Sequence, residues 1–414
     1  MKVRKNKSLL PIYIKGLVSG KYTLGQASVS TGYSKNWLCI LKHKYLREGF
    51  AFLERSSMRV PKNKTSEELC QKIVDIYASD FGDVNFKYFQ KCLVEFYDIK
   101  LSYPTLSKIL KEHGLFSPEA RKIKKRAKSK RPRLRRECEG DMIQIDGTPY
   151  AWFYKFGDLN RYCLVGAIDD ATSKITGLYI TQYECLYGYL EILRQTCKNY
   201  GVPREIYSDR AAIFCVTPKR GQQMDKWEQL SVLHGKNTQW QRVLDELSIN
   251  QILAWSPEAK GRIERMWHTI QGQLPMWLKL HGYSTVKKAN AHLDEYIAEF
   301  NNAYSVQPKI NDPYWINPPQ NLNYILQARF SRRTDNVGVF SFHGYKFVLQ
   351  SPYASYRNLE LCISEQGIYG FLDDKYYPVR CLDLPLDGLG ETMSQVLKDL
   401  IFRYLFSYAK EISA

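Results

Sequence analysis

Hydrophobic positions change their spacing three times along the chain. Over residues 11–50, and again over 66–115, they recur three and four apart, the pattern of short helices packed along one face. In the first stretch Ser34 stands where it can cap a helix with an apolar face of Trp37, Leu38 and Leu41. Ser28, Gly32 and Leu38 occupy the small, turn and buried positions of a helix-turn-helix. In the second stretch Ser66 precedes a helix bearing Leu69, Ile73, Val74 and Tyr77. Asn85 precedes another over residues 86–93, and Ser102 caps a third with Pro104 in its first turn.

From Gly140 the pattern becomes that of an α/β layer. Residues 142–147 read as a short buried strand that ends on Asp146 and a glycine. Residues 162–180 read as two strands joined by a polar turn at 169–173. A helix over 186–200 is stopped by Gly201 and Pro203, and a fourth strand, 205–209, ends on Asp209. A helix over 240–247, a strand over 249–254, a long helix over 260–280 and another over 287–304 complete a mixed sheet with its helices. Beyond Pro318 and Pro319, short alternating strands at 337–342, 345–349, 359–364, 368–372 and 376–382 suggest a small barrel. A helix over 394–408 ends the chain.

The expected fold is therefore multidomain. It has all-α helix-turn-helix domains over 1–56 and 57–116, a basic linker over 117–138 and an α/β core over 139–310. A small SH3-like β-barrel over 311–388 and a terminal helix over 389–414 follow. With 414 residues, two to four domains at about 150 residues each can bury real cores. No apolar run reaches the roughly 18 residues of a membrane span, and the start of the chain lacks a signal-peptide hydrophobic region, so a cytoplasmic protein is expected.

Charge sharpens the picture. The net charge is +18, and eleven positive residues lie between Arg121 and Arg136 with no acid among them. These are Arg121, Lys122, Lys124, Lys125, Arg126, Lys128, Lys130, Arg131, Arg133, Arg135 and Arg136. Such a run tracks phosphates or enters a minor groove, which points to nucleic acid as partner. Candidate base readers are Lys35, Asn36 and Lys42 in the first helical domain, and Thr105 and Lys108 in the second. The ten cysteines form no CxxC pair and no short Cys/His cluster; they read as reduced core thiols, and zinc is not expected.

Three acids stand where this layout would bring them together. Asp146 and Asp209 end strands at the carboxyl edge of the sheet, and Glu264 lies early in the helix after the fifth strand, turned toward that edge. Clustered carboxylates repel unless a cation neutralises them, and hard oxygen donors suit Mg²⁺ or Mn²⁺. Asp141, Asp158, Asp169, Asp170, Glu205 and Glu258 compete for the same role, although Asp169 and Asp170 fit the hairpin turn. Helical spacing would set Lys260, Arg262, Arg265 and His268 beside the acids, where they could hold phosphates.

Four segments carry a resemblance: residues 144–153, 164–173, 201–210 and 256–265. Gln144-Ile-Asp-Gly-Thr-Pro-Tyr, Leu164-Val-Gly-Ala-Ile-Asp-Asp, Glu205-Ile-Tyr-Ser-Asp and Ser256-Pro-Glu-Ala-Lys-Gly-Arg-Ile-Glu resemble, in order, the catalytic core of bacterial insertion-sequence transposases. The nearest likeness is the ISNCY family of DDE transposases, in the retroviral-integrase superfamily. The resemblance implies an RNase H-like core with Asp146, Asp209 and Glu264 as its metal-binding triad. Between the two aspartates lie 62 residues, and 54 separate Asp209 from Glu264, which implies an insertion near 217–235. The resemblance also implies two Mg²⁺ ions per site, replaceable by Mn²⁺, with Asp146 bridging them. Cleavage would occur at terminal inverted repeats and joining at target DNA, by a dimer or larger homo-oligomer on double-stranded DNA. An RNase H-like nuclease that does not join ends, and a domesticated DNA-binding regulator, are the competing readings.

Overall fold

The computed structural model describes residues 8–49, 65–118, 134–215, 238–254, 261–382 and 396–406. Contacts divide the chain into two compact units, Met1–Ile76 and Tyr77–Ala414.

The first unit holds α1 (Leu10–Val18), α2 (Leu24–Thr31), α3 (Lys35–Glu48) and α4 (Glu67–Ile76). Thr23 and Gln26 form a reciprocal capping box at the start of α2. Gly32 ends it in the left-handed conformation (φ 71°), and Ser34 caps α3 by accepting from Trp37 N. Leu10, Ile14, Leu17, Ala27, Leu38 and Leu41 form the core. Trp37, expected on the buried face, is 47% exposed. One residue is about 100° of helix turn, so burying Leu38 and Leu41 swings Trp37 outward.

The second unit opens with a π-turn, Tyr77–Phe81, followed by α5 (Phe86–Tyr97) and α6 (Tyr103–Glu112). Asp80 and Asp83 fasten this stretch to the rest of the unit through Lys279 (2.5 Å) and Lys155 (2.6 Å), and the Phe96 ring meets His281 edge-on.

A five-stranded mixed sheet follows, in the order β3-β2-β1-β4-β5. Its strands are β1 (Met142–Tyr150), β2 (Tyr162–Asp169), β3 (Ile175–Thr181), β4 (Glu205–Ser208) and β5 (Asn250–Leu253). β1, β2 and β3 run antiparallel, while β4 and β5 run parallel to β1. Helices α7 (Leu186–Asn199) and α8 (Gln239–Glu246) cover one face, burying Ile143, Ile145, Val165 and Ile206 with Leu190, Leu193 and Trp240. The β3 edge is closed by amide side chains. Asn290 and Asn301 each accept from and donate to its backbone, at Ile180 and Ile175, which blunts strand addition there.

The long helix expected over 260–280 is two helices, α9 (Gly261–Gln271) and α10 (Leu274–His281), because Gly272 and Pro275 interrupt it. α11 (Val286–Tyr304) follows. The next stretch is stitched to the core. Val306 N donates to Thr172 O, Ile310 N to Glu137 O and Tyr314 N to Glu139 O, and Ile316 pairs with Val202.

After α12 (Leu322–Ile325) come β6 (Ala328–Arg333), β7 (Val339–Phe342), β8 (Tyr345–Leu349), β9 (Asn358–Ser364), β10 (Gly367–Leu372) and β11 (Lys375–Cys381). They form an antiparallel sheet in the order β6-β9-β10-β11-β8-β7, whose edge strands approach each other so that it is nearly closed. The β7–β8 hairpin turns on His343 and Gly344, both at positive φ (52° and 80°), as a two-residue primed turn requires. The expected final helix is described over 396–406, where Leu400 and Leu405 enter the core of this sheet.

Candidate active site

Asp146 does not end its strand. β1 continues to Tyr150 because its antiparallel neighbour β2 stays paired with it as far as Tyr150↔Tyr162. What ends there is the parallel neighbour. β4 pairs Met142↔Glu205, Ile143↔Ile206 and Gln144↔Tyr207, and stops at Ser208. Asp146 lies two residues past the last position of β1 paired with β4, and Asp209 directly follows the end of β4. Alternation puts Asp146 on the face opposite α7. Asp209 begins the loop and accepts from Ala211 N at 2.9 Å, an Asx-type bond that turns the chain away from the sheet.

α9 lies along that same face of β1. Arg262, Trp267 and Gln271 reach Asp170, Asp146 and Thr148 in turn, so the helix follows the strand direction. Trp267 Nε1–H donates to Asp146 Oδ2 at 3.0 Å. Ile263, Met266, Trp267 and Ile270 are buried. At 100° per residue, Arg262 and Thr269 stand on the β2 flank of this apolar stripe, and Glu264 and Gln271 on the other, toward β4. Glu264 is exposed, where the pattern had turned it toward the sheet edge. Among the described residues, no three His, Cys, Asp or Glu side chains are gathered closely enough to hold a metal ion.

The competing acids have other duties. Asp169 and Asp170, expected in the hairpin turn, stand at its start and are fully buried. Asp169 accepts from Gly140 N (2.9 Å), Thr172 N (2.7 Å) and Thr172 Oγ1 (2.6 Å). Burial pushes its carboxyl above the usual range, against the pull of those bonds. Asp170 Oδ1 accepts from Gln144 Nε2 (2.7 Å) and Arg262 Nη1 (2.8 Å), and its Oδ2 accepts from Arg136 N (2.8 Å). Asp141 pairs with Arg204 (2.5 Å), Glu205 with Arg136, and Asp158 accepts from Asn160 N and Tyr162 Oη. Glu258 lies outside the described residues.

Behind Asp146, on the α7 face, Gly147 leaves room that a Cβ would fill. That carbon would stand 3.0 Å from Cys163 Sγ and 3.2 Å from Tyr189 Oη. Tyr189 is fully buried and donates to Glu184 (2.5 Å), and burial, Glu184 and Asp146 together hold its hydroxyl well above the usual phenol range. Trp267, Tyr189 and Glu184 are site neighbours that the sequence reading missed. The first two read only as apolar positions, and Glu184 as one polar residue between a strand and a helix.

The expected DNA-facing cations fare unequally. Lys35 and Asn36 are exposed at the start of α3, Lys42 and Thr105 are half-buried, and Lys108 is exposed beside Glu112 (3.7 Å). Arg265 and His268 are exposed on α9. Arg262, expected beside phosphates, instead aims its guanidinium inward at Asp170 and is 11% exposed. Arg135 donates to the carbonyls of Asp170 and Ala171, and Arg136 is held by Glu205 and Asp141, so the last two cations of the basic run dock onto the sheet. Arg121, Lys122, Lys124, Lys125, Arg126, Lys128, Lys130, Arg131, Arg133, Lys260 and the insertion expected at 217–235 lie outside the described residues. No described helix is long and apolar enough to cross a membrane.

No family model matches the chain. Among solved structures, the HTLV-2 integrase catalytic core domain in complex with magnesium, in its dimeric form, aligns with 40% of this chain and 85% of its own. The identity is 17% and the TM-score 0.25. A simian T-cell lymphotropic virus intasome in complex with PP2A regulatory subunit B56 gamma aligns with 76% of this chain and 99% of its own, at 12% identity and a TM-score of 0.32. Sequence relatives reach further. The transposase for insertion sequence IS1202 of Streptococcus pneumoniae is 28% identical over 364 residues, 80% of this chain and 76% of its own. A protein designated as a candidate transposase, y4bF, of Sinorhizobium fredii (strain NBRC 101917 / NGR234) is 29% identical over 344 residues, 81% of this chain and 70% of its own. Over four-fifths of its length, then, the chain is related to transposases, that of an insertion sequence among them.

Proposed function

We propose that this protein is a DDE transposase that binds the terminal inverted repeats of an insertion sequence and cuts and joins DNA at Asp146, Asp209 and Glu264. The observation that carries this reading is the placement of the acids. Asp146 lies on β1, Asp209 directly follows β4, the parallel neighbour of β1, and the helix bearing Glu264 is laid against Asp146 through Trp267. The donor set fits a divalent cation, since three carboxylates offer hard oxygens and net negative charge. When bound, a pair of Mg²⁺ ions, or Mn²⁺ in their place, would activate the attacking water or 3′-hydroxyl and stabilise the leaving oxygen of an in-line phosphoryl transfer.

Asp146 is anchored in the strand β1 and Asp209 by its own turn at the end of β4, so two of the ligands are fixed by local backbone structure. Glu264, exposed on its helix, is the one that completes the set as the site closes on DNA. Arg265 and His268 stand on the open side of α9, where they would hold phosphates near the acids. In the first unit α2 and α3 make a helix-turn-helix that would offer Lys35 and Asn36 to a major groove. Lys108 on α6 is the corresponding exposed cation of the second helical domain. The mixed sheet with its helices is read as an RNase H-like core, and the nearly closed sheet as an SH3-like barrel. The active form is a homo-oligomer on paired DNA ends.

The test uses the protein's own gene with its flanking DNA as substrate, with Mg²⁺ or Mn²⁺, beside the Asp209→Asn variant. Nicks at two inverted repeats, and joined products that disappear in the variant, are expected. Binding without metal-dependent scission would move the protein to a DNA-binding regulator, and scission without joining to a nuclease.

A further inference from the structure

We propose that Trp267 is a positioning residue for Asp146, and that Gly166 is the socket that lets it be one. The inference rests on the proposed role of Asp146 as a metal ligand. Asp146 and Gly166 face each other across the β1–β2 pair. A Cβ on Gly166 would stand 2.6 Å from Cη2 of Trp267 and 2.9 Å from Cδ2 of Leu178, closer than real contacts allow. The indole therefore occupies the space that a side chain at position 166 would fill. Seated there, only 5% exposed, it directs Nε1–H at Asp146 Oδ2 across 3.0 Å.

The chemistry follows from what a metal-binding carboxylate needs. A carboxylate free to rotate about χ2 presents its lone pairs in many directions and loses that freedom on binding a cation. A rigid N–H donor to one oxygen fixes the carboxylate plane beforehand and leaves the other oxygen unengaged by this bond. Donors of this kind behind a ligand typically change metal affinity 10- to 100-fold when removed. An indole donor suits the place. It carries no positive charge to compete with the cation, unlike a lysine or arginine, and it cannot ionise. Trp267 also sits one helical turn from Glu264, on α9. The bond to Asp146 therefore fixes the rotation of the helix that carries the third acid.

The experiment measures Mn²⁺ binding to the full-length protein without DNA by electron paramagnetic resonance, for the wild type, W267F, G166A and D146N. The indole 15N–1H resonances of the metal-free protein are recorded alongside. Phe keeps most of the ring packing and removes only the donor, while Ala at 166 leaves the donor and dislodges it. Mn²⁺ affinity about tenfold weaker in both W267F and G166A is expected. Removal of one indole resonance in W267F, and a shift of that same resonance in D146N, would confirm the bond in solution. Wild-type Mn²⁺ affinity in W267F and G166A, with binding lost in D146N, would overturn the positioning role and leave the ligand role of Asp146 standing. Wild-type affinity in D146N would overturn both.

Discussion

The two flanks of α9 face the same sheet and are built on opposite principles. Toward β2, Arg262 enters the interior and meets Asp170, whose side chain is wholly buried and shared with Gln144 and the Arg136 backbone. Toward β4, Glu264 stands exposed, and Asp146 and Asp209 lie just beyond the paired positions of β1 and β4. Buried charge is tolerated where a cation and an anion meet directly, as Arg262 and Asp170 do at 2.8 Å. Asp146 and Asp209 lie nearer the surface, the first accepting from Trp267 Nε1 and the second from Ala211 N. Acidity alone therefore separates nothing on this sheet, whereas the company each acid keeps does.

The comparison breaks most visibly in catalysis. Asp146→Asn, Asp209→Asn and Glu264→Gln should each lower strand cleavage by about a thousandfold or more, some 4 kcal/mol of transition-state stabilisation, while gel-shift binding to the element ends stays near wild type. Cleavage at the wild-type rate by any one of them would move that acid to the structural flank.

Stability should show the reverse order. Arg262→Ala leaves the Asp170 carboxylate buried without its cation and should cost roughly 3–5 kcal/mol, read as a lowered urea midpoint. Glu264→Ala, at an exposed position, should shift the same midpoint by no more than about 0.5 kcal/mol. Equal losses would erase the distinction between the flanks.

A small effect belongs to the fastening of the π-turn stretch. The ammonium of Lys279 holds the Asp80 carboxyl below its ordinary value of 3.8. A carboxyl lowered by folding adds stability above its unfolded value and loses it as pH falls through the folded one. The attachment should therefore weaken only below about pH 3.8, and Asp80→Asn should remove that pH dependence. Because the pair is largely exposed, the cost at neutral pH should be about 0–1 kcal/mol, measurable as faster amide exchange in α5.

Much of this was legible in the chain itself. The positions of all five strands of the mixed sheet, and of the helices at 186–199, 239–246 and 286–304, follow from periodicity and stop signals, because each is short and its apolar residues face one way. What was not legible depended on partners far along the chain. The length of β1 is set by β2, not by its own residues. The inward turn of Arg262 needs Asp170, 92 residues earlier. β6 escaped notice because Arg329, which reads as a surface residue, is 8% exposed and held between Glu246 and Glu360. Trp37 shows the opposite failure, an apolar side chain read as core that the helix turns outward. The acids themselves were found by type and spacing, while the indole against Asp146 read as one more buried ring.

The stretch that joins the two sheets has a mechanical consequence. Residues 306, 310, 314 and 316 are each tied by backbone hydrogen bonds to residues 172, 137, 139 and 202. At each of these four points a change of torsion would break a backbone hydrogen bond to the core. The chain leading to the nearly closed sheet is thus pinned at intervals, and two of its anchors, Glu139 and Val202, lie just ahead of the strands that lead to Asp146 and Asp209.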